Sequence, residues 1–370
     1  MSMNVDLYRG FRQPDVIKAL AEKIADKAKL LEHPLYIMEV CGGHTHTIMK
    51  YGLKQLLPEN IRFVHGPGCP VCIMPKERID QAIALAGLSD VILVTLGDMV
   101  RVPGSKSTLA QCRAKGGHVE AVYDPMDVLK IARENPDKQV VYFAIGFETT
   151  TPMTAVLVEC AEQQQLANLY FHINHVLVIP AMNAVLADGQ SRINAFIGPS
   201  HVSVITGAKL YQPIVEGYQV PLVVGGFEPV DVLESVLMLT EQAVSGSAEL
   251  QLQYRRAASY QGNVTAQQQV DKVFTLRNEF NWRGLGNIPH SALKLKPEYQ
   301  HRDAELKFAE HFTHIDTPDH KHCRCGDILK GLATPPDCKV FGKACTPNRP
   351  MGSCMVSSEG ACNAYYRYLG

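Results

Sequence analysis

The chain has 370 residues, of which 46% are hydrophobic and 20% are charged, and its formal net charge is −1. A chain of this length can bury more than one core, so we expect two or three domains. The near-neutral charge gives no electrostatic reason to expect nucleic acid or an anionic membrane as a partner. We expect a cytoplasmic protein without a membrane span, because the sequence shows neither a signal-peptide core nor an apolar run of roughly 18 residues.

The first predicted element is an amphipathic helix over residues 15–32. Its apolar side chains recur at three- and four-residue steps, as at Ile17, Leu20, Ile24 and Leu31. We expect this helix to dominate a unit of residues 1–34 that packs against the C-terminal domain.

Short apolar runs then alternate with helix-like stretches, which is typical of parallel sheets covered on both faces. The apolar runs are 35–40, 61–65, 91–96, 140–145, 169–173, 202–206 and 220–224, and helix-like segments include 76–88, 126–134 and 152–164. Residues 40–47 resemble residues 144–151, since each segment follows an apolar run and precedes a predicted helix. The sequence therefore predicts an α/β fold with two similar parallel-sheet domains, over residues 35–135 and 136–244.

The remaining residues, 245–370, differ in composition. Six of the eleven cysteines fall in the last 48 residues, where proline and glycine are frequent. Such a segment has too few apolar side chains for a core of its own, so a bound metal would supply the missing stabilisation. In a reducing compartment, clustered cysteines indicate metal ligation or redox chemistry more often than permanent disulfides. We expect this range to form an iron–sulfur domain.

We call the last 48 residues the tail. The spacing of its six cysteines is C-x-C-x12-C-x6-C-x8-C-x7-C. A zinc ribbon would show two C-x2-C pairs, which are absent from this segment, so the spacing favours a cubane cluster. The more compact set of four consists of Cys338, Cys345, Cys354 and Cys362. Cys323 and Cys325 would then be additional thiols, and zinc remains the main alternative metal.

A second cysteine pair, Cys69 and Cys72, forms a C-x-x-C motif between an apolar run and a helix-like segment. This spacing brings two sulfurs within bonding distance, and a helix N-terminus lowers the pKa of a thiol. A reversible dithiol is favoured, with half of a zinc site as the alternative.

The upstream motif Cys-Gly-Gly-His-Thr-His puts Cys41 at the predicted carboxyl end of a strand, where α/β sheets bind ligands. Cys41 could be a nucleophile with His44 as its base, or a soft thiolate ligand for a low-valent metal. In the second domain, residues 146–152 would bring hydroxyls and the Glu148 carboxylate to the equivalent edge, although helix capping also explains a single threonine there.

Together these motifs resemble the HypD family of [NiFe]-hydrogenase maturation proteins over nearly the whole chain. The resemblance rests on CGGHTH at 41–46, GPGCPVC at 66–72, GFETTTP at 146–152, HVSVITG at 201–207, GGFEP at 225–229 and CMVSSEGACNAYY at 354–366. It implies two α/β domains and a third domain that carries a [4Fe–4S] cluster.

The resemblance also implies a role in assembling the Fe(CN)2CO unit of the hydrogenase active site. Members of the family work with the small chaperone HypC, receive cyanide through HypE and act on the hydrogenase large subunit only indirectly. By motif, Cys41 would hold the iron, and Cys69 with Cys72 would be a redox pair near the cluster. The cluster ligands would be Cys338, Cys345, Cys354 and Cys362. A monomer that forms a heterodimer is the oligomeric state that the resemblance implies.

Two other hypotheses remain open at the level of sequence. One is a cysteine-dependent hydrolase or transferase that uses Cys41 and His44, with a structural zinc in the tail. The other is a protein disulfide reductase whose site is Cys69 and Cys72. We expect the protein to be a redox-active assembly scaffold rather than a conventional enzyme.

Overall fold

The computed structural model describes residues 9–189, 191–313 and 318–369. The first eight residues of the predicted unit 1–34 therefore lie outside the described part. The strands are β1 (Leu35–Glu39), β2 (Ile61–His65), β3 (Val91–Leu96), β4 (Val119–Val122), β5 (Gln139–Gly146), β6 (Leu169–His175), β7 (Ala195–Pro199), β8 (Leu222–Gly225), β9 (Leu250–Leu252), β10 (Phe274–Leu276), β11 (Glu279–Trp282), β12 (Gly286–Pro289) and β13 (Leu293–Leu295).

Helices connect and cover these strands. The α-helices are α1 (Pro14–Ala28), α2 (Gly42–Lys50), α3 (Lys76–Ala86), α4 (Leu109–Ala114), α5 (Asp127–Glu134), α6 (Thr151–Gln163), α7 (Val178–Ala187), α8 (Ser200–Thr206), α9 (Gln212–Tyr218), α10 (Pro229–Ser245), α11 (Val264–Val273), α12 (Ala304–Lys307), α13 (Cys325–Leu329) and α14 (Ala361–Tyr368). No helix within the described ranges combines the length and the apolar character that crossing a membrane requires.

The fold is α/β, with two parallel sheets and a cysteine-rich C-terminal region. The first sheet has the strand order β2-β1-β7-β8-β9, and the second has the order β4-β3-β5-β6. Each pairing within these two sheets is parallel. Strand β5 is buried along nearly its whole length, as a strand covered by helices on both faces must be.

The two sheets do not follow the predicted division at residue 135. The chain builds β1 and β2, leaves to form the whole second sheet from β3 to β6, and returns with β7, β8 and β9. The first sheet is therefore built from two separate segments of the chain, and the whole second sheet lies between them in sequence. The predicted boundary divided the chain once, whereas strands from both sides of residue 135 share each sheet. Parallel strands are joined by crossovers, and packing decides which strands become neighbours.

Helix α1 was expected to pack against the C-terminal domain, and it packs against α10 instead. Its buried face carries Ala21, Ile24 and Ala28. Arg12, just before the helix, donates a 2.9 Å hydrogen bond to Glu228 at the start of α10. The predicted division assigned α10 almost entirely to residues 136–244. Helices α1 and α10 share an apolar core with strands of the first sheet.

The apolar run 202–206, predicted as a strand, forms most of helix α8. Ser203 donates a 2.8 Å hydrogen bond to the carbonyl oxygen of Pro199, one turn earlier. An apolar run of five residues fits a buried helix as well as a strand, and its periodicity does not distinguish them.

One apolar core joins both sheets to the cysteine-rich region. It contains Met38 and Phe196 of the first sheet, Val141 of the second, and the sulfurs of Cys354 and Cys362. The tail thus completes a core that the sheets begin. This packing explains how a segment poor in apolar residues is held against the scaffold.

Candidate metal and redox centre

A cleft of about 610 Å3 lies where the carboxyl ends of strands from both sheets meet. Strands β1, β2, β3, β5 and β7 each end at this cleft, and the tail segment 357–359 closes one side. Its lining residues are Val40, Cys41, Gly68, Pro70, Val71, Leu96, Gly97, Asp98, Met99, Tyr123, Ile145, Gly146, Phe147, Thr149, Thr150, Val178, Pro199, His201, Val202, Ser357, Ser358 and Glu359. Parallel α/β sheets bind ligands at this edge.

Cys41 lies at the cleft, as predicted from the end of β1, and is the residue that precedes helix α2. The backbone N–H of Gly42 donates to the carbonyl oxygen of Gly68, and this hydrogen bond connects the turn after Cys41 to the residue before Cys69. Burial raises the pKa of the Cys41 thiol, and the neighbouring carboxylate of Glu359 raises it further. The thiol is therefore protonated at neutral pH.

Cys69 and Cys72 form a disulfide in the structure, with their Cα atoms 5.2 Å apart. Both residues are buried, at 3% and 1% exposure. The hydroxyl of Ser353 donates a hydrogen bond to the carbonyl oxygen of Cys72. Since Ser353 directly precedes Cys354, this bond ties the disulfide turn to the tail.

His44 is fully buried and does not line the cleft. Its Nε2 atom lies 3.0 Å from the carbonyl oxygen of Gly225 and 3.1 Å from that of Gly226, so this nitrogen carries the proton. Burial lowers the pKa of His44 to about 4. The ring thus anchors helix α2 to the end of β8, a placement that does not favour its role as the base for Cys41.

A buried polar network connects the Cys41 turn to the last helix. The backbone N–H of Cys41 donates to Glu39 Oε2 over 3.3 Å. Glu39 Oε1 lies 2.5 Å from His65 Nδ1, and His65 Nε2 lies 3.1 Å from the hydroxyl of Tyr365. Thr45 also donates to Glu39. Burial raises the pKa of Glu39 against the opposing effect of His65.

The tail sulfurs gather around Cys325. Cys323 donates to the Cys325 sulfur over 3.4 Å. A hydrogen bond with Cys325, together with burial, raises the pKa of Cys362, and Cys354 adds to this effect. A Cβ atom at Gly352 would lie 2.6 Å from the sulfurs of both Cys323 and Cys325, so a side chain there would displace them.

The grouping of sulfurs around Cys325 agrees only in part with the predicted cluster ligands Cys338, Cys345, Cys354 and Cys362. Burial raises the pKa of Cys345, and Cys325 and Cys323 add smaller contributions, whereas the Cys338 sulfur donates to the carbonyl oxygen of His322 over 3.3 Å. The structure therefore associates Cys325 with the other sulfurs and gives Cys338 a backbone partner. Among the described residues, no group of three or more cysteine, histidine or acidic side chains has a ready-made metal-binding arrangement. The donors nevertheless fit an iron–sulfur cluster in kind, since they are several buried thiols in one region.

Sequence reasoning missed several polar residues of the cleft, among them Asp98, Tyr123, His201 and Glu359. Asp98 follows β3, Tyr123 follows β4, His201 begins α8 and Glu359 belongs to the tail. The ring of His201 stands edge-on to Phe227 with 4.4 Å between centroids. Burial and the charge of Asp98 raise the pKa of Glu359. The sequence placed these residues after strands or inside the unusual motifs. Such a position does not indicate whether a side chain points into a cleft.

Two parallel-sheet domains, a cleft that contains Cys41, a buried disulfide and a cysteine-rich C-terminal region define an α/β scaffold whose thiols are compatible with metal binding. The family described as "HypD: Hydrogenase formation hypA family" matches residues 15–369. The hydrogenase maturation factor HypD2 of Bradyrhizobium diazoefficiens is 47% identical over 97% of this chain and 95% of its own length. HypD of Azotobacter vinelandii is also 47% identical, and HypD of Escherichia coli is 44% identical over 97% of this chain and 96% of its own length. The chain belongs to the HypD family of hydrogenase maturation factors.

Proposed function

We propose that this protein is a scaffold on which, together with HypC, the Fe(CN)2CO unit of [NiFe] hydrogenases is assembled. HypE would deliver cyanide, and the hydrogenase large subunit would receive the product indirectly. The observation that carries the proposal is the proximity of three groups of cysteines. Cys41 lines the cleft together with Pro70 and Val71 of the Cys69–Cys72 disulfide turn, and Ser353, next to Cys354 of the tail, donates to the carbonyl oxygen of Cys72.

In this proposal Cys41 holds the iron that is being modified. A soft thiolate suits low-valent iron with cyanide and carbon monoxide ligands. The raised pKa of Cys41 means that the thiol releases a proton when iron binds. The acidic groups of Asp98 and Glu359 at the same cleft favour the approach of a cation.

The tail cysteines would hold a [4Fe–4S] cluster, which supplies one-electron transfer when bound. The ligand set expected from sequence is Cys338, Cys345, Cys354 and Cys362. The contacts of Cys325 support it as a competitor for the position of Cys338.

The Cys69–Cys72 pair would act as a dithiol store beside the iron site. Its reduction breaks the S–S bond and takes up two electrons and two protons, and its oxidation returns them. Because both residues are almost fully buried, another protein's thiol has poor access to the disulfide. Its burial supports an internal redox role over that of a general protein disulfide reductase.

The first test is complementation of a bacterial strain that lacks its own HypD. We expect Cys41→Ala and Cys72→Ala to abolish hydrogenase activity, while Cys160→Ala serves as a matched control because Cys160 lies on α6, outside the cleft-lining residues. Full activity of the Cys41→Ala variant would overturn the role of Cys41 as the iron ligand.

The second test is metal analysis after anaerobic purification. About four irons and four sulfides per chain, in the wild type and in Cys41→Ala alike, are expected for a tail-bound cubane. Stoichiometric zinc without sulfide would instead support a structural metal and an enzyme that uses Cys41.

A further inference from the structure

A second cavity lies on the other side of the loop 148–151, which also borders the Cys41 cleft. Its volume is about 580 Å3, which is within the range of small-molecule sites. Thr150 and Val178 line the cleft, whereas their chain neighbours Thr151 and Leu177 line this second cavity. The same two segments, 148–151 and 177–178, therefore line both spaces through neighbouring residues.

The cavity is formed by elements that the proposed chemistry does not use. Helix α11 contributes Gln267, Val270 and Asp271, strand β10 contributes Phe274, Thr275 and Leu276, and the end of α8 contributes Ile205 and Thr206. Half of the lining residues are aliphatic or aromatic. Leu276 is 47% exposed, so apolar surface remains open to solvent at the cavity. A ligand with an apolar body would remove that surface from water.

Glu148 gives the cavity its polar character. The sequence suggested that this carboxylate would lie with the cleft residues, but it lines the second cavity and not the cleft. Its Oε1 atom accepts a 3.0 Å hydrogen bond from the backbone N–H of Val178. Its Oε2 atom has no hydrogen-bond partner among the described residues, and the residue is only 9% exposed. Burial raises the pKa of Glu148 to about 7.

The charges around the cavity favour a cation. Two carboxylates, those of Glu148 and Asp271, face a single ammonium group, that of Lys296. Lys296 donates its hydrogen bond to the backbone oxygen of Asp271 and not to either carboxylate. An incoming ammonium group would supply the N–H donor that Glu148 Oε2 lacks. A hydrogen bond from a charged donor stabilises a carboxylate more than one from a neutral donor does.

We propose that this cavity is a binding site for a small organic amine, whose apolar ring or chain packs against Val270, Phe274 and Leu276 while its ammonium group pairs with Glu148. The site is distinct from the iron site, and it does not depend on the proposed assembly function. Its occupant would contact the loop 148–151 from the side opposite to the cleft.

Benzylamine is a suitable probe, because it combines one aromatic ring with one ammonium group, and benzoate is its anionic counterpart of similar shape. Titrations of the full-length protein would be followed by ligand-observed NMR. We expect a benzylamine dissociation constant on the order of 1 mM, as is usual for a ligand this small. Benzoate should bind far more weakly, since it meets an unfavourable carboxylate.

Two variants and two controls locate the binding. Glu148→Gln, which keeps the side-chain shape, should weaken benzylamine binding by about tenfold or more. Thr275→Trp should fill the cavity and abolish binding, while Thr275→Ser should preserve it. His201→Ala alters the cleft and not this cavity, so it should leave benzylamine binding unchanged. A circular dichroism spectrum for each variant verifies folding.

Four results would overturn the proposal: no benzylamine binding at tens of millimolar, equal binding of benzoate, unchanged affinity in folded Glu148→Gln, or loss of affinity in His201→Ala. Hydrogenase maturation by these variants is a separate readout. A failure of the amine site would therefore leave the iron-assembly proposal untouched, and the reverse also holds.

Discussion

The Nε2 atom of His65 lies 3.1 Å from the hydroxyl of Tyr365, although 300 residues separate the two in sequence. His65 ends strand β2, and Tyr365 lies on helix α14 three residues after Cys362. Through Glu39 the same network reaches the backbone of Cys41. The strand that precedes the disulfide turn and the helix that bears a tail cysteine are therefore joined by buried polar side chains.

Tyr365→Phe tests the strength of this junction. The variant keeps the ring that stacks edge-on against His65 and removes only the hydroxyl. We expect the free energy of unfolding to fall by about 1 kcal/mol, because His65 then loses a buried partner. Urea unfolding of the anaerobic protein measures the change. Tyr366→Phe is the control, since Tyr366 is exposed on the same helix and should alter stability by less than about 0.5 kcal/mol.

The competition between Cys325 and Cys338 can be decided by iron content. Cys323 donates to the Cys325 sulfur, and Cys325 together with burial raises the pKa of Cys362, whereas Cys338 donates to a backbone carbonyl. We therefore expect Cys325→Ala to lose bound iron and sulfide, and Cys338→Ala to retain more of both. Cys112→Ala is the matched control, because the Cys112 sulfur on α4 donates to the carbonyl oxygen of Ile83 and not to a tail cysteine. If Cys338→Ala alone lost its iron, the ligand set predicted from the spacing would stand.

The sequence predicted those features that depend on local pattern. Continuous apolar runs located β1, β2, β3, β5 and β6, and the rule that ligands bind at the carboxyl ends of strands correctly located Cys41 at a cleft. The C-x-x-C spacing correctly predicted that Cys69 and Cys72 can bond.

Features that depend on tertiary packing were not predictable in the same way. The insertion of the second sheet between β2 and β7 leaves no local signal, because each strand is apolar whichever neighbour it takes. The directions of side chains in glycine-rich turns are also decided by distant partners. His44 turns towards Gly225 and Gly226, and Glu148 lines the second cavity, because those contacts come from elements far away in sequence.

Gly42→Ala should disturb the cleft through packing. A Cβ atom at this position would lie 2.3 Å from the Cβ of Glu359, so the tail segment would have to move. We expect a loss of roughly 1–3 kcal/mol in the free energy of unfolding, as is usual for overpacking, and a large loss of hydrogenase maturation. Gly217→Ala is the control, because nothing lies within 4 Å of a Cβ atom there. Maturation that persists at the wild-type level would show that the tail can shift without affecting the cleft.

The stability of the scaffold should depend on Glu305 at acid pH. Arg78 and Arg277 both donate to its carboxylate, with 2.6 Å between Arg78 Nη1 and Glu305 Oε2. Burial alone would raise the pKa of Glu305, but the two arginines outweigh it and hold this pKa well below its usual range. Glu305 therefore contributes stability at pH values above its unfolded pKa of about 4.3, and this contribution is lost as the pH falls further towards the folded pKa.

Glu305→Gln should lower the free energy of unfolding at pH 7 by about 3–5 kcal/mol, because it leaves buried arginine charge uncompensated. The difference between wild type and variant should shrink below pH 4, as urea titrations at several pH values would show. A difference that stayed constant across that range would mean that the carboxylate's charge is not what stabilises this part of the fold.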